Sequence, residues 1–208
     1  MGVWHISGLG ISPGALTVST ASVYILLKAA KEGDPDACSF FETSGERTQK
    51  DGTLRGFPEG FVIFTSKEVI ETKIKRRSEI KDRWFKNTGK EISVPKMACK
   101  FISDLHKAFF DEYDIPEIYY LAVDYQDFKK ALPMIHNTVN ALGTMGGKEI
   151  WANMVGGTNQ INASILTAGA LSGAISRYYY YFEQDNDLLH PDLEKPKGKI
   201  SKLLTQNK

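Results

Sequence analysis

Two stretches of this sequence carry residue types and spacings that could handle an anion. The first is Gly8-Leu9-Gly10-Ile11-Ser12-Pro13-Gly14-Ala15-Leu16-Thr17, the second Gly156-Gly157-Thr158-Asn159-Gln160. Each follows a short apolar run and precedes a helical pattern, so its backbone amides and the start of the next helix can face a phosphate, and the two are expected to form one phosphate-binding site outside the carboxyl ends of the strands. Ser12 and Thr158 add hydroxyls, and Asn159 and Gln160 add amide donors. Neither stretch has the GxGxxG spacing with a following acid that marks dinucleotide sites, and neither holds the Gly-Lys-Ser/Thr of a P-loop, which disfavours nicotinamide cofactors and ATP hydrolysis.

The other reactive residue types form no comparable pattern. His5 lies in an apolar strand-like run, His106 and His136 in helical segments and His190 in a polar tail, positions typical of packed or surface imidazoles. No general base emerges from them. Cys38 and Cys99 show no CxxC or Cys/His spacing, so neither a disulfide framework nor a zinc site is expected, and separately no metal or cofactor is expected.

The elements that must position the two loops follow from periodicity. Strands are expected at Val3–Leu9, Phe61–Thr65, Glu91–Val94, Ile118–Val123 (read as central in the sheet), Ile150–Val155 and Tyr178–Phe182. Helices are expected at Leu16–Ala30, from a Ser66 cap to about Asn87, and at Met97–Tyr113, Phe128–Leu142 and Ile161–Ile175. On the second of these, Lys73, Lys75, Arg76 and Lys86 make a basic side that reads as solvated, the alternative being that one or two of these cations reach an anionic ligand or a nucleic-acid partner. Ala163, Ala168, Gly169, Ala170 and Gly173 make the last helix rich in small residues that permit close approach to the sheet or to a second subunit. This βαβ alternation predicts an α/β, Rossmann-like domain over residues 1–187, with a mainly parallel sheet and helices on both faces. Residues 34–59 are polar and broken by Gly45, Gly52, Gly56 and Pro58, an insertion with a Lys50-Asp51-Gly52 hairpin signal that could serve as a lid. Residues 188–208 form a polar, Lys-rich tail.

Composition narrows the partners. The 208 residues are 42% hydrophobic and 25% charged, in the range of globular proteins, and Lys+Arg minus Asp+Glu is 26 − 25 = +1. Such a chain has no whole-molecule field to draw it to DNA or to a membrane surface, so direct DNA binding is not expected and any anion site must be local. The first residues lack a basic-then-apolar leader, and no run reaches the ~18 apolar residues of a spanning helix. A cytoplasmic location is the expectation.

Asn153-Met154-Val155-Gly156-Gly157-Thr158-Asn159-Gln160, followed by an Ala-rich helix, Gly173 and a Tyr-rich strand, resembles the "Gly-Gly-Thr-Lys" signature of the CRISPR-associated Rossmann-fold (CARF) family, the cyclic oligoadenylate sensors of type III CRISPR defence. Leu9 to Thr17 is similar to that family's first ligand loop. The resemblance implies a homodimer with a cyclic oligoadenylate, tetra-adenylate above all, lying across the two-fold axis. It implies ligand contacts from Leu9, Gly10, Ile11, Ser12, Pro13 and Thr17 and from Gly156, Gly157, Thr158, Asn159 and Gln160. Family members that cut their ligand are ring nucleases needing no metal, and by resemblance Ser12 and Asn159 occupy the catalytic positions. The signature's lysine is replaced here by Asn159, which implies slow cleavage or binding without cleavage. Sensors of the family usually carry an output domain, and the ~20 residues after Asp187 are too few to fold as one. An ordinary Rossmann-type enzyme acting on a phosphorylated metabolite is the remaining alternative.

Overall fold

A computed structural model describes residues 2–41, 55–71, 89, 92–145 and 149–180. Five strands, β1 (Val3–Leu9), β2 (Pro58–Thr65), β3 (Glu117–Ala122), β4 (Glu149–Asn153) and β5 (Ile175–Tyr179), form one sheet in the order β3-β2-β1-β4-β5. Every pairing is parallel. The fold is α/β and Rossmann-like.

Side-chain alternation along the strands explains why helices cover both faces. On β1, Val3 and Leu9 enter one core while Trp4 and Ile6 enter the other; on β2, Phe61 and Ile63 oppose Val62 and Phe64. The first core is closed by α1 (Gly14–Lys31), α2 (Pro35–Phe41) and α4 (Val94–Phe110), the second by α5 (Phe128–Thr144) and α6 (Asn159–Ser172). A further short helix, α3 (Lys67–Ile70), follows β2. In α4, Ala98, Ile102, His106 and Phe110 recur every four residues and are all buried, which fixes the face it turns to the sheet. Fully buried side chains such as Ile6, Ile63 and Ile102 each contribute roughly 1.5–3 kcal/mol. No described helix is long and apolar enough to cross a membrane.

Several sequence expectations shift. Ile118–Val123 reads as a central strand, yet β3 is an edge strand and Tyr119 is 49% exposed, since the hydroxyl end of a tyrosine tolerates water. No strand forms at Val94: Ser93 accepts a hydrogen bond from the Lys96 amide (3.2 Å), and Pro95 sits in the first turn, so the chain enters α4 instead. The last helix stops at Ser172, before Ile175, because Gly173 adopts the left-handed conformation (φ 63°) and lets β5 begin earlier.

Within residues 34–59, the described parts are residues 34–41, which hold α2 and its Asp34 cap, and residues 55–59. Phe41 of α2 stacks on Trp151 (5.9 Å, 14°), Arg177 lies over the same indole (4.4 Å), and Arg55 pairs with Glu149 at the amino end of β4. The Lys50-Asp51-Gly52 turn, the basic side at Lys73 to Lys86 and residues 188–208 lie outside the described residues.

Candidate functional site

The strand order decides where a ligand can sit. Strand β1 has β2 on one side and β4 on the other, so the connections leaving β1 and β4 diverge and open a crevice at their carboxyl ends. Both Gly-rich loops lie there. A cleft of about 600 Å³ is lined by Leu9, Gly10, Ile11, Ser12 and Ala15 from the first loop and by Gly157, Thr158 and Ile161 from the second.

Three glycines bring the loops together. A Cβ on Gly8 would stand 2.7 Å from the Gly156 carbonyl oxygen and 2.7 Å from the Gly157 Cα, closer than real carbon atoms approach, and Gly157 has φ 84°. Gly10 differs: a Cβ there meets nothing within 4 Å, so its lack of a side chain leaves cleft space open rather than permitting packing.

Buried polar side chains hold this arrangement from below. Asn153, fully buried at the end of β4, donates to the Ser19 hydroxyl (2.5 Å) and accepts from the Val155 amide (3.0 Å). Ser19 in turn donates to the Ala15 and Leu16 carbonyls, so Asn153 ties the second loop to the first turns of α1. Thr65 at the end of β2 donates to the Leu9 carbonyl (2.6 Å), fixing where the first loop departs. Because every member is paired, the network adds rigidity without orphaned groups.

The helix starts differ in a way that bears on anion binding. Side chains cap α2 (Asp34), α3 (Ser66), α4 (Ser93), α5 (Asp127) and α6 (Thr158). Helix α1 follows Pro13, has no side-chain cap, and its Gly14 and Ala15 amides find no acceptor among the described residues. The positive end of an 18-residue helix therefore stands at the cleft, with Ala15 in its lining and the free Gly14 amide next to it in the chain.

The sequence-selected residues divide into three groups. Leu9, Gly10, Ile11, Ser12, Gly157 and Thr158 line the cleft, and the Ser12 hydroxyl has no partner among the described residues. Asn159 and Gln160 stand exposed in the first turn of α6 beside Thr158, whose hydroxyl oxygen accepts from the Ile161 amide. Pro13, Thr17 and Gly156 are buried and do not line the cleft; Thr17 donates to the Gly14 carbonyl within α1.

Ser66, Glu68, Val69 and Tyr125 complete the lining, from the ends of β2 and β3. Sequence reading assigned none of the four to the site, taking Ser66 as a cap and Val69 as part of a helix's apolar side, because nothing in the spacing shows that strands so distant in sequence end side by side. Among the described lining residues Glu68 carries the single full charge, so attraction of an anion here falls to amides and helix dipole rather than to cations. A second hollow of about 450 Å³ adjoins, sharing Glu68 and Tyr125 and bordered by Lys67, Asp124 and Gln126.

The described histidines lie elsewhere. His5 is buried; its Nε2 faces the Gly56 carbonyl (3.3 Å) and must carry the proton, leaving Nδ1 to accept from Tyr179 (3.1 Å). Burial lowers its pKa to about 4. His106 is held alike, by the Tyr113 carbonyl and the Tyr24 hydroxyl, and burial lowers its pKa as well. His136 contacts Asn140 on α5. Among the described residues no group of three His, Cys, Asp or Glu side chains is placed to hold a metal ion.

No protein-family model matches the chain. Over 207 residues it is 41% identical to an uncharacterized protein of Archaeoglobus fulgidus, a similarity covering 96% of this chain. The chain spans 63% of the length of that relative.

Proposed function

We propose that the protein binds a cyclic oligoadenylate, tetra-adenylate above all, across a homodimer and cleaves it slowly without a metal, as the likeness to CARF proteins implies. The observation that carries this reading is the uncapped start of α1, which shares one cleft with the Gly157-Thr158 loop at the switch point of the sheet. Phosphate oxygens suit those amides. The exposed face of α6, with Asn159, Ala163, Leu166 and Ala170, starts at the same loop, and its fourteen residues include no charged side chain. That face fits a second subunit continuing the site across a two-fold axis.

For cleavage, a ribose 2′-hydroxyl attacks its own 3′-phosphorus, the bond to the 5′-oxygen breaks, the 2′-proton passes to solvent and the 5′-oxygen gains a proton from it. In-line placement and amide donors on the phosphate supply the acceleration. Ser12 orients the reacting groups, and Asn159 supports the phosphate in place of the signature's lysine. The neutrality of Asn159 also favours a second reading, a sensor that binds the ring and signals to a partner or an effector domain without cutting it.

Incubating the protein with labelled cyclic tri-, tetra- and hexa-adenylate in EDTA, then separating products by chromatography, tests both readings. Linear product from the wild type and little from Ser12→Ala supports the nuclease. Intact ring eluting with a dimer leaves the sensor, and absence of binding by any ring rejects both.

A further inference from the structure

The cleft presents chemically opposed walls. The uncapped start of α1, through Ala15, lies on the side shared by β1 and β4, whereas Glu68 brings a full negative charge to the β2 side. Glu68 is exposed and has no ion-pair or hydrogen-bond partner among the described residues, while its neighbour Lys67 pairs with Glu71 (3.5 Å). A phosphate set against this carboxylate would be repelled. The wall needs a ligand group that donates hydrogen bonds.

Topology indicates which group. Glu68 lies three residues beyond Thr65, the last residue of β2, and β2 is the direct neighbour of β1. In dinucleotide-binding folds with this strand order, an acidic residue following the glycine-rich turn hydrogen-bonds a ribose 2′-hydroxyl while the phosphate sits on the first helix. Here the acid follows β2 after a far longer interval, because α2 and the rest of the 34–57 stretch intervene, so it escapes a motif search. Tyr125 lies with Glu68 at the seam between the two hollows, where a sugar linking two nucleotides would pass.

We infer that the Glu68 carboxylate accepts a hydrogen bond from a ribose 2′-hydroxyl of the bound ring, so that this cleft selects ribonucleotide over deoxyribonucleotide ligands. The inference rests on the cyclic oligoadenylate reading. It adds a residue outside both glycine loops and assigns the acidic wall a role in recognising the sugar.

Binding of cyclic tetra-adenylate and of its all-2′-deoxy counterpart, measured by calorimetry at low temperature with wild type and Glu68→Ala, tests it. In the wild type the deoxy ring binds about 10- to 100-fold more weakly, the range for a hydrogen bond to a charged acceptor. In Glu68→Ala the ribo ring is weakened by a similar factor, and loss of the hydroxyls has little further effect. Glu68→Gln, which keeps an acceptor oxygen without charge, falls between. If the deoxy penalty is equal in wild type and Glu68→Ala, the inference is overturned while the ring-binding reading stands. If neither ring binds the wild type, both are overturned. Unchanged melting of the variants excludes misfolding, as expected for an exposed side chain.

Discussion

Replacing Gly8 by alanine tests whether close approach of two backbones holds the cleft in shape. The added Cβ would stand 2.7 Å from both the Gly156 carbonyl oxygen and the Gly157 Cα, and 3.1 Å from the Gly156 carbonyl carbon. All three are backbone atoms, so no side chain can swing aside. Overpacking of this kind costs about 1–3 kcal/mol. For a domain of this size, each kcal/mol lowers the melting temperature by about 2–4 °C, giving an expected fall of about 2–12 °C. Gly10→Ala is the control: its Cβ meets nothing within 4 Å and its φ is not in the left-handed region, so stability should stay level or rise by up to about 1 kcal/mol. Differential scanning calorimetry on the two variants measures the contrast. A Gly8→Ala protein melting within 1 °C of wild type, or a Gly10→Ala protein that is the less stable of the two, would refute the reasoning. Gly10→Leu should spare stability yet weaken ligand binding, because its side chain enters the open cleft.

Other expectations follow from the same contacts. Asn153→Ala leaves the Val155 amide without its acceptor and removes the donor to Ser19; a loss of about 2–3 kcal/mol should appear as a lower urea midpoint with unchanged slope. His5 titrates near 4 when folded against 6.5 when unfolded, so between those values the unfolded chain holds more protons. Stability is thus fully present above pH 6.5 and falls by about 3 kcal/mol as the pH drops toward 4. His5→Gln should flatten this slope in urea titrations at pH 7 and pH 5, leaving the part due to His106, whose pKa burial also lowers. Asn159→Lys places a cation at the exposed start of α6 and should tighten cyclic tetra-adenylate binding, with a steeper salt dependence in filter-binding assays. Leu166→Glu, on the exposed face of α6, should shift sedimentation toward monomer and weaken ring binding together.

Local chemistry alone made much of the scaffold readable. The apolar runs at Val3–Leu9 and Phe61–Thr65 and the spacing of Ala98, Ile102 and His106 specify strand and helix because burial on a fixed period is a property of adjacent residues. The same holds for the glycines at 8, 156 and 157, which mark two turns. Their cause was not local: each is demanded by the opposite loop's backbone, from more than a hundred residues away in the chain.

What only the tertiary structure decided is the order of the strands and, with it, the walls of the cleft. Periodicity assigns Ile118–Val123 to a strand but not to an edge, since pairing partners leave little trace in one strand's residues. It could not bring Glu68 and Tyr125 to the glycine loops, because that follows from β2 lying parallel beside β1 and β3 parallel beside β2. Nor could it show that α1 starts without a side-chain cap while the other described helices have one, for Ser12 stands close enough in sequence to have served as one. The sequence thus determined that two anion-suited loops exist and share one end of the sheet; packing determined how closely their backbones approach, which amides stay free, and that an acid faces them.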